Sequence, residues 1–245
     1  MSEQASAHVP EEQTSAHVPE EQPATIFTEI GGSVAPGMTL RCVLRGHTQR
    51  IGRIAWSPDG RYLASPSWDT SVRIWDTETA ECLAALEGPS EAHTAVWSPD
   101  GRTLASGYAS GEILIWDVEN RVVTHVLEGP AKVDPIAWSP SGDILASGCR
   151  DDKIRIWDPG SGKLKRILDD GRGRPITALA WHPDGEILAS GNNDDQVCLW
   201  RPLSTDKAFK TLNTNVGGIY SMAWSPDGSV LAFGTYNHMG AALLR

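Results

Sequence analysis

The chain has 245 residues, of which 40% are hydrophobic and 21% are charged, the composition of a globular protein with a sizeable core. Its formal net charge is −10, and residues 1–37 contribute −6 because they contain six Glu and no Lys or Arg. Since neither part has the basic stripe that phosphate groups require, the charge argues against nucleic acid or an anionic membrane as a partner.

The cysteines and the N-terminus give no sign of a metal site or of secretion. The four cysteines are scattered without a CxxC pair, which is typical of reduced thiols in the cytosol. The N-terminus lacks a basic stretch followed by an apolar one, and no run approaches 18 apolar residues. These features predict a cytoplasmic protein without a cofactor or a membrane span.

Residues 1–37 form an acidic tail in which the octapeptide SAHVPEEQ occurs twice, at 6–13 and at 15–22. The tail is rich in Pro, Glu, Gln and Ser and cannot bury enough apolar surface to offset the entropy of ordering, so we predict disorder. His8 and His17 stand near Glu pairs, but a metal would first have to order the chain. A short interaction motif presented twice is the better interpretation.

From residue 38 onward the chain is repetitive. A Trp that begins the sequence WSPDG, WSPSG or WHPDG recurs at Trp56, Trp97, Trp138, Trp181 and Trp224. A second Trp follows 19 residues later in four repeats, and Leu243 has that spacing in the fifth. Such a period is the signature of a repeat architecture. The spacing predicts five units, at about 41–87, 88–128, 129–170, 171–214 and 215–245.

Each unit is predicted to form four short strands. In the first, a segment ending at Trp56 leads into Ser-Pro-Asp-Gly, where Pro presets φ and Gly accepts the left-handed position of a tight turn. RYLAS, the polar turn PSWDT, the alternating VRIW and ECLAALEG follow. Strands of four to six residues with turn signals every 8–12 residues indicate an all-β repeat. One such sheet cannot bury both apolar faces, so the units are expected to stack radially.

These residues resemble the WD-repeat (WD40) β-propeller family, and the resemblance covers residues 38–245. It rests on Gly46-His47, the SPDG turns, the LAS strands and the Trp-Asp pairs at 75–76, 116–117 and 157–158. The resemblance implies an all-β propeller of about five four-stranded blades. It also implies a hydrogen-bonded framework of His47, Ser65, Asp69 and Trp75 in the first blade, with Asp151 and Asp194 matching Asp69.

The sequence leaves the closure of the ring open. Resembling propellers usually have about seven blades, whereas this chain supplies five. Residues 38–45 (MTLRCVLR) are interpreted as a fourth, outer strand that could complete the last blade and remove an exposed edge. The alternative is an open arc, in which case the chain could oligomerise or be a truncated derivative without independent function.

The second and fifth repeats depart most from the family pattern. Ser110 stands where the second repeat should have its Asp. The fifth repeat has Asn237 for Asp, Phe233 for Ser and Leu243-Leu244 for Trp-Asp. These two blades are therefore expected to be the least cooperative, the fifth above all.

No motif in the sequence indicates catalysis. The Pro-Asp-Gly turns supply one carboxylate each, whereas a calcium loop places several oxygen ligands in one segment. There is no G-x-S-x-G elbow, Gly-rich phosphate loop or H-E-x-x-H. We therefore predict a non-catalytic scaffold that binds a protein or peptide. The alternative is an enzyme or small-ligand binder that uses the central channel.

The candidate partner-binding residues are those that differ between blades at the top face. In the resembling propellers, top-face contacts come from positions four and six before the first Trp and from the residue preceding the blade Asp. Trp68 is singled out because it lies outside both repeating Trp positions, and because Trp, Tyr and Arg often dominate interface energetics. The predicted set is Arg50, Trp68, Glu91, His93, Lys132, Asp134, Arg150, Thr177, Asn193, Tyr220 and Tyr236.

Overall fold

A computed structural model describes residues 33–35, 38–169, 171, 173–215, 217–235 and 241–244. Every regular element among them is a β-strand, and no helix that could span a bilayer occurs in this part of the chain. The chain divides into two compact units, Met1–Val43 and Leu44–Arg245. The predicted disorder of residues 1–37 falls almost entirely outside the described residues.

In the first unit, strand β1 (Ser33–Ala35) pairs antiparallel with strand β2 (Met38–Thr39). Residues 40–50 form no strand. The expectation that residues 38–45 complete the last blade is therefore wrong for this structure. Pairing with a neighbour a few residues away costs less loop-closure entropy than pairing with the far end of the chain.

The second unit consists of five antiparallel sheets, each formed by one repeat and called here blades 1 to 5. Within the described ranges, blades 1 to 4 have four strands each and blade 5 has three. Consecutive strands of a blade are neighbours in its sheet, as in a meander. The strands are β3 (Ala55–Trp56), β4 (Tyr62–Pro66), β5 (Ser71–Asp76) and β6 (Cys82–Glu87) in blade 1; β7 (Ala92–Trp97), β8 (Thr103–Tyr108), β9 (Glu112–Asp117) and β10 (Val122–Glu128) in blade 2; β11 (Val133–Trp138), β12 (Leu145–Cys149), β13 (Ile154–Asp158) and β14 (Lys163–Leu168) in blade 3; β15 (Ile176–Trp181), β16 (Leu188–Asn192), β17 (Gln196–Trp200) and β18 (Lys210–Asn213) in blade 4; and β19 (Ile219–Trp224), β20 (Leu231–Thr235) and β21 (Ala241–Leu244) in blade 5.

The Ser-Pro-Asp-Gly segments form the turns between the first two strands of the blades. In blade 1, Asp59 Oδ1 accepts from the Arg61 N–H at 3.0 Å, and Ser57 Oγ accepts from the Tyr62 N–H at 2.8 Å. Gly60 has φ +72°, a left-handed conformation that costs a glycine little. The carboxylate of Asp59 is thus engaged in holding the turn, as predicted from its repetition.

A Trp–Ser hydrogen bond ties the third strand to the second in blades 1 to 4. The indole N–H crosses from one strand to a buried serine hydroxyl, so neither polar group is left unpaired in the core. The bonds are Trp75 Nε1–H to Ser65 Oγ (2.7 Å), Trp116 to Ser106 (2.8 Å), Trp157 to Ser147 (2.9 Å) and Trp200 to Ser190 (2.8 Å).

In blade 1 this bond belongs to the larger set that the family resemblance implied. His47 Nε2 lies 2.7 Å from Ser65 Oγ, and His47 Nδ1 lies 2.8 Å from Asp69 Oδ2. Burial alone would raise the pKa of Asp69, but hydrogen bonds from Ser71, the Thr48 N–H and His47 outweigh it and hold the pKa well below its usual value. The ionised carboxylate is therefore part of the folded blade.

Blade 2 lacks this Asp but keeps a satisfied network by another route. Ser106 Oγ lies 3.0 Å from the hydroxyl of Tyr108, which is fully buried. Burial raises the pKa of Tyr108 to about 12. A Cβ at Gly88 would lie 2.1 Å from Tyr108 Cε1, so the glycine makes room for the ring. Tyr108 therefore replaces the His and Asp that the sequence comparison found missing.

Neighbouring blades are joined by apolar clusters and by one recurring hydrogen bond. Four clusters of buried side chains connect blades 1 and 2, 2 and 3, 3 and 4, and 4 and 5. At each junction the first Trp of one blade donates to the carbonyl that precedes the equivalent Trp of the blade before it. These bonds are Trp97 Nε1–H to Ala55 O (3.2 Å), Trp138 to Val96 O (3.2 Å), Trp181 to Ala137 O (3.1 Å) and Trp224 to Ala180 O (3.2 Å).

The sheets are not closed into a ring. Within the described part of the chain, no cluster joins blade 5 to blade 1. The open arc is therefore the alternative that the structure supports.

The register of blade 5 corrects one sequence assignment. Leu231 pairs with Leu244, just as Leu63 pairs with Trp75, so Leu244 rather than Leu243 takes the position of the second Trp. Spacing alone could not reveal this shift of one residue, because it depends on the loop before β21. A shift of one residue moves a side chain to the other face of a strand.

Candidate functional site

The first strands of neighbouring blades contact one another in series, β3 with β7, β7 with β11, β11 with β15 and β15 with β19. Where these strands begin, a cavity of about 230 Å³ opens, which we call the top-face cavity. All five blades contribute to its wall. Its lining residues are Arg50, Ile51, Gly52, Arg53 and Trp68 of blade 1, His93 of blade 2, Lys132, Asp134 and Arg150 of blade 3, Thr177 of blade 4 and Tyr220 of blade 5.

Trp68 stands at the junction between blades 1 and 2. The guanidinium carbon of Arg50 lies 5.1 Å from the centroid of the Trp68 ring, within the range of a cation–π contact. His93 meets the same indole edge-on, with centroids 5.6 Å apart. The backbone N–H of Trp68 donates to Arg50 O at 2.9 Å, which fixes the turn that carries the ring. Trp68 is half-buried, so part of its surface remains available.

Positive charge dominates the wall of the cavity. Lys132 Nζ lies 3.1 Å from Asp134 Oδ1, and Arg150 Nε lies 3.9 Å from Asp134 Oδ2. Among the described residues of the lining, Asp134 is the one acidic side chain, and Arg50 and Arg53 add two further cations. Four cations beside one carboxylate give this part of the cavity wall a positive potential.

Arg53 reaches across the cavity from blade 1 to blades 4 and 5. Its Nη2 donates to Thr177 O at 3.1 Å and to Tyr220 O at 2.7 Å. Its guanidinium carbon also lies 4.9 Å from the centroid of the Tyr220 ring. Arg53 therefore links the part of the cavity wall from blade 1 to the parts from blades 4 and 5.

Sequence reasoning missed Arg53 because only three positions of each repeat were considered. Arg53 nevertheless departs from the repeat, at the residue that follows the position four before the first Trp. Arg53 is three residues before Trp56, and the same position holds Thr94, Pro135, Ala178 and Ser221 in the other blades. A long cationic side chain among small ones is as strong a break in the repeat as Trp68.

His93 presents a buried, unpaired nitrogen in this wall. Its side chain is 9% exposed, and Nε2 has no hydrogen-bond partner. The nearest acidic atom, Glu91 Oε2, is 3.7 Å away, beyond hydrogen-bonding distance. Burial lowers the pKa of His93, and the charge of Lys132 lowers it further, so the imidazole is neutral near pH 7.

The predicted top-face residues fall into three groups. Eight of them line the cavity, whereas Glu91 lies beside it next to His93. Asn193 is exposed and does not line it. Tyr236 is outside the described residues. The residues that line it are Arg50, Trp68, His93, Lys132, Asp134, Arg150, Thr177 and Tyr220.

The carboxylates that could suggest chemistry are engaged elsewhere. Asp151 forms a bidentate pair with Arg155, at 3.0 and 2.6 Å. Asp194 Oδ2 lies 2.9 Å from Arg174 Nε. Within the described ranges, no three His, Cys, Asp or Glu side chains are grouped so that they could hold a metal ion.

Comparison with known proteins places these features in a family. The sequence model of the IFT122 first β-propeller matches residues 34–205, and that of the anaphase-promoting complex subunit 4 WD40 domain matches residues 179–240. The chain is 54% identical over 44 residues to the probable cytosolic iron-sulfur protein assembly protein Ciao1 of Culex quinquefasciatus, covering 17% of this chain and 13% of that protein.

Two further relatives match over similarly short segments. The ribosome biogenesis protein BOP1 homolog of Dictyostelium discoideum is 43% identical over 49 residues, covering 20% of this chain and 6% of that protein. The Notchless protein homolog of Arabidopsis thaliana is 40% identical over 45 residues, covering 18% and 10%. The matched segments are thus a small part of each relative. The match to the propeller model extends over most of the chain, and the chain belongs to the WD-repeat β-propeller family that includes the IFT122 first β-propeller.

Proposed function

We propose that this chain is a non-catalytic scaffold whose top-face cavity binds an acidic segment of a partner protein. The relatives named for iron-sulfur protein assembly and ribosome biogenesis support a general role in bringing other proteins together. The name of the first relative also supports a cytoplasmic location.

The observation that carries the proposal is the sign of the charge in the cavity. The whole chain carries −10, yet the lining residues that the structure describes include four cations and one carboxylate. Lys132 and Arg150 neighbour the same carboxylate, that of Asp134, so each cation is only partly neutralised. A carboxylate of the partner could therefore accept charge-assisted hydrogen bonds from both. Electrostatic complementarity of this kind directs partner choice and the rate of encounter.

In the same site, Trp68 supplies an apolar surface and His93 supplies a hydrogen-bonding nitrogen. A half-buried indole next to arginine is a frequent centre of binding energy in protein interfaces. The unpaired Nε2 of His93 can accept or donate one hydrogen bond when a ligand covers it. An acidic peptide with an apolar residue beside its carboxylates fits this combination.

The alternative of an enzyme or small-ligand binder in the channel has less support. The cavity is smaller than the roughly 300–1,000 Å³ of most small-molecule sites. The hydroxyl of Thr177 donates to Ile219 O at 2.5 Å and lies 3.1 Å from Gly191 O, so it is not paired with a general base.

The proposal is tested with an array of peptides that contain Glu next to Leu or Phe, and matched peptides with Gln for Glu. We expect the wild-type chain to bind members of the acidic set and to lose them as salt is raised. Arg150→Glu and Trp68→Ala should each weaken binding about tenfold or more. Arg102→Glu, at an exposed position outside the cavity, is the control and should bind like the wild type. Equal binding of the Gln peptides would contradict the proposal.

A further inference from the structure

A second cavity, of about 360 Å³, opens between blades 2 and 3, and we call it the side cavity. It lies where the first strand of blade 3 ends, at Trp138, whereas the top-face cavity lies where that strand begins. The two cavities have no described lining residue in common. The volume of the side cavity falls within the roughly 300–1,000 Å³ of most small-molecule sites.

The side cavity is present because one position of the repeat is small in blade 2. In blade 1 this position is Tyr62, whose ring stacks on Trp97 of the next blade with centroids 6.3 Å apart. Blade 3 has Ile144 there, whereas blade 2 has Thr103. Trp97 is accordingly 7% exposed, but Trp138, which lines the cavity beside Thr103, is only partly buried.

Trp138 offers the side cavity the apolar surface of its ring. Its indole N–H is already engaged, because it donates to Val96 O at 3.2 Å. The surface of an indole ring carries the negative side of the aromatic quadrupole and attracts cations, with Arg the most frequent partner. Trp138 therefore favours a flat or cationic ligand.

Asp100 gives the same cavity a negative charge. Its Oδ1 accepts from Ser98 Oγ at 2.5 Å and from the Arg102 N–H at 3.0 Å, so Oδ2 can still accept from a ligand. The hydrogen bond from Ser98 holds the pKa of Asp100 below its usual value, and the carboxylate is ionised near pH 7. No Lys or Arg occurs in the part of the lining that the structure describes.

The charges around the side cavity do not cancel that of Asp100. The Arg102 side chain lines a separate groove between blades 1 and 2. Lys165 Nζ lies 3.5 Å from Asp158 Oδ2. Ser141, in the lining, donates to the carboxylate of Asp143, which adds a second negative charge close by.

His125 adds a nitrogen that lacks a hydrogen-bond partner. Its Nδ1 is buried and unpaired among the described residues, and an N–H from a ligand could satisfy it. A Cβ at Gly162 would lie 2.7 Å from His125 Cδ2, so the imidazole packs closely against a loop of blade 3. The strand register puts Arg166 at the equivalent position of blade 3 and Lys210 at that of blade 4. Blade 2 thus lacks the cation that its two successors carry.

We propose that the side cavity binds a guanidinium group, which stacks on the Trp138 ring and donates to Asp100 Oδ2 and to His125. A guanidinium is planar and has five N–H donors and no acceptor, so it suits an aromatic surface, a carboxylate and an unpaired nitrogen together. The net charge of −10 attracts such a cation over longer distances. The group belongs to a small guanidinium compound or to an arginine side chain of a partner protein.

The test follows the indole N–H signals of the isotope-labelled full chain by NMR at constant ionic strength. The probes are methylguanidine and a capped Gly-Arg-Gly peptide, each added to about 20 mM because ligands of this size bind in roughly the millimolar range. The Trp138 signal, identified by its loss in Trp138→Phe, should shift and saturate. Methylurea and the citrulline peptide, which are neutral, should leave it in place. Tighter binding of the peptide than of methylguanidine indicates a protein partner, and the reverse order or equal binding indicates a small compound.

Two variants test the charge and the space separately. Asp100→Asn keeps an oxygen for the turn but removes the charge, and it should weaken binding at least tenfold. Thr103→Tyr gives blade 2 the side chain that blade 1 has at this position and should abolish the shift by filling the cavity. Asp59→Asn is the matched control, because Asp59 accepts the same two bonds, from Ser57 Oγ and the Arg61 N–H, outside the cavity. It should bind like the wild type, and unchanged signals of the other indoles show that each variant is folded.

Four outcomes would overturn the inference. The first is a Trp138 signal that neither probe shifts. The second is equal binding of the neutral analogues or of methylammonium, which lacks the planar donor group. The third is a loss of binding in Asp59→Asn as large as that in Asp100→Asn. The fourth is unchanged binding in Thr103→Tyr. The acidic-peptide experiment on the top-face cavity has no bearing on these results, since the two cavities are lined by different residues.

Discussion

Blades 1 and 5 are built from the same repeat but hold their third strand in different ways. In blade 1, Ser65 Oγ lies 2.7 Å from both Trp75 Nε1 and His47 Nε2, and His47 contacts Asp69. In blade 5, Phe233 and Leu244 take the positions of Ser65 and Trp75, and they belong to an apolar cluster. At these two positions blade 1 has directional side-chain hydrogen bonds, whereas blade 5 has apolar contacts.

The difference shows that a buried serine is kept at this position where a tryptophan of the third strand pairs its hydroxyl. A serine in place of Phe233, without a tryptophan at position 244, would leave a buried hydroxyl unpaired, which costs more than an apolar side chain there. Blade 2 illustrates the same rule by another route, because Tyr108 bonds Ser106 where the His and Asp are missing. Blades 1 to 4 therefore pair the hydroxyl of this serine, and blade 5 has an apolar side chain in its place.

The largest expected effect is on the free energy of unfolding, when the equivalent third-strand side chains of blades 1 and 5 are truncated to Ala. Trp75→Ala should lower the free energy of unfolding by about 3–5 kcal/mol, since the buried indole leaves a cavity and its hydrogen bond to Ser65 is lost. Leu244→Ala should cost roughly 1 kcal/mol, because this side chain is only half-buried. Urea denaturation followed by circular dichroism measures both. Equal losses would show that the blades are held equally strongly.

A smaller effect is expected from giving blade 1 the amide that the fifth repeat carries as Asn237. Asp69→Asn removes charged hydrogen bonds to His47 and Ser71, which should cost about 1.5–3 kcal/mol. Asp194→Asn in blade 4 is the matched control, and since its side chain is 43% exposed it should cost at most about 1 kcal/mol. Urea midpoints of the two variants are compared with the wild type, and a control as costly as Asp69→Asn would contradict the prediction.

The sequence predicted the blades well because each is specified locally. The five tryptophans, the Pro-Asp-Gly turns and the period-2 strands all lie within one repeat, and a meander pairs each strand with its neighbour in sequence. The sequence also located most of the top-face cavity, since differences between repeats mark the positions that the framework leaves free.

Features that depend on distant parts of the chain were not predictable in this way. The pairing of β2 with β1 rather than with β21 is a competition between partners, and the sequence of either strand alone does not decide it. The one-residue shift that puts Leu244 in place of Leu243 depends on loop length. Arg53 stands out from the repeat, but its partners do not, because they are carbonyls of blades 4 and 5 more than 120 residues away.

The smallest expected effect is a pH dependence that blade 1 has and Asp69→Asn lacks. Since the folded-state pKa of Asp69 lies below the unfolded value of about 3.9, its contribution is fully present above that pH and is lost as pH falls further. The stability difference between wild type and Asp69→Asn should therefore shrink by about 1 kcal/mol between pH 7 and pH 3. Urea denaturation of both proteins at the two pH values measures it, and the other carboxylates cancel because both proteins share them. A difference that is the same at pH 7 and pH 3 would mean that the ionised Asp69 does not stabilise blade 1.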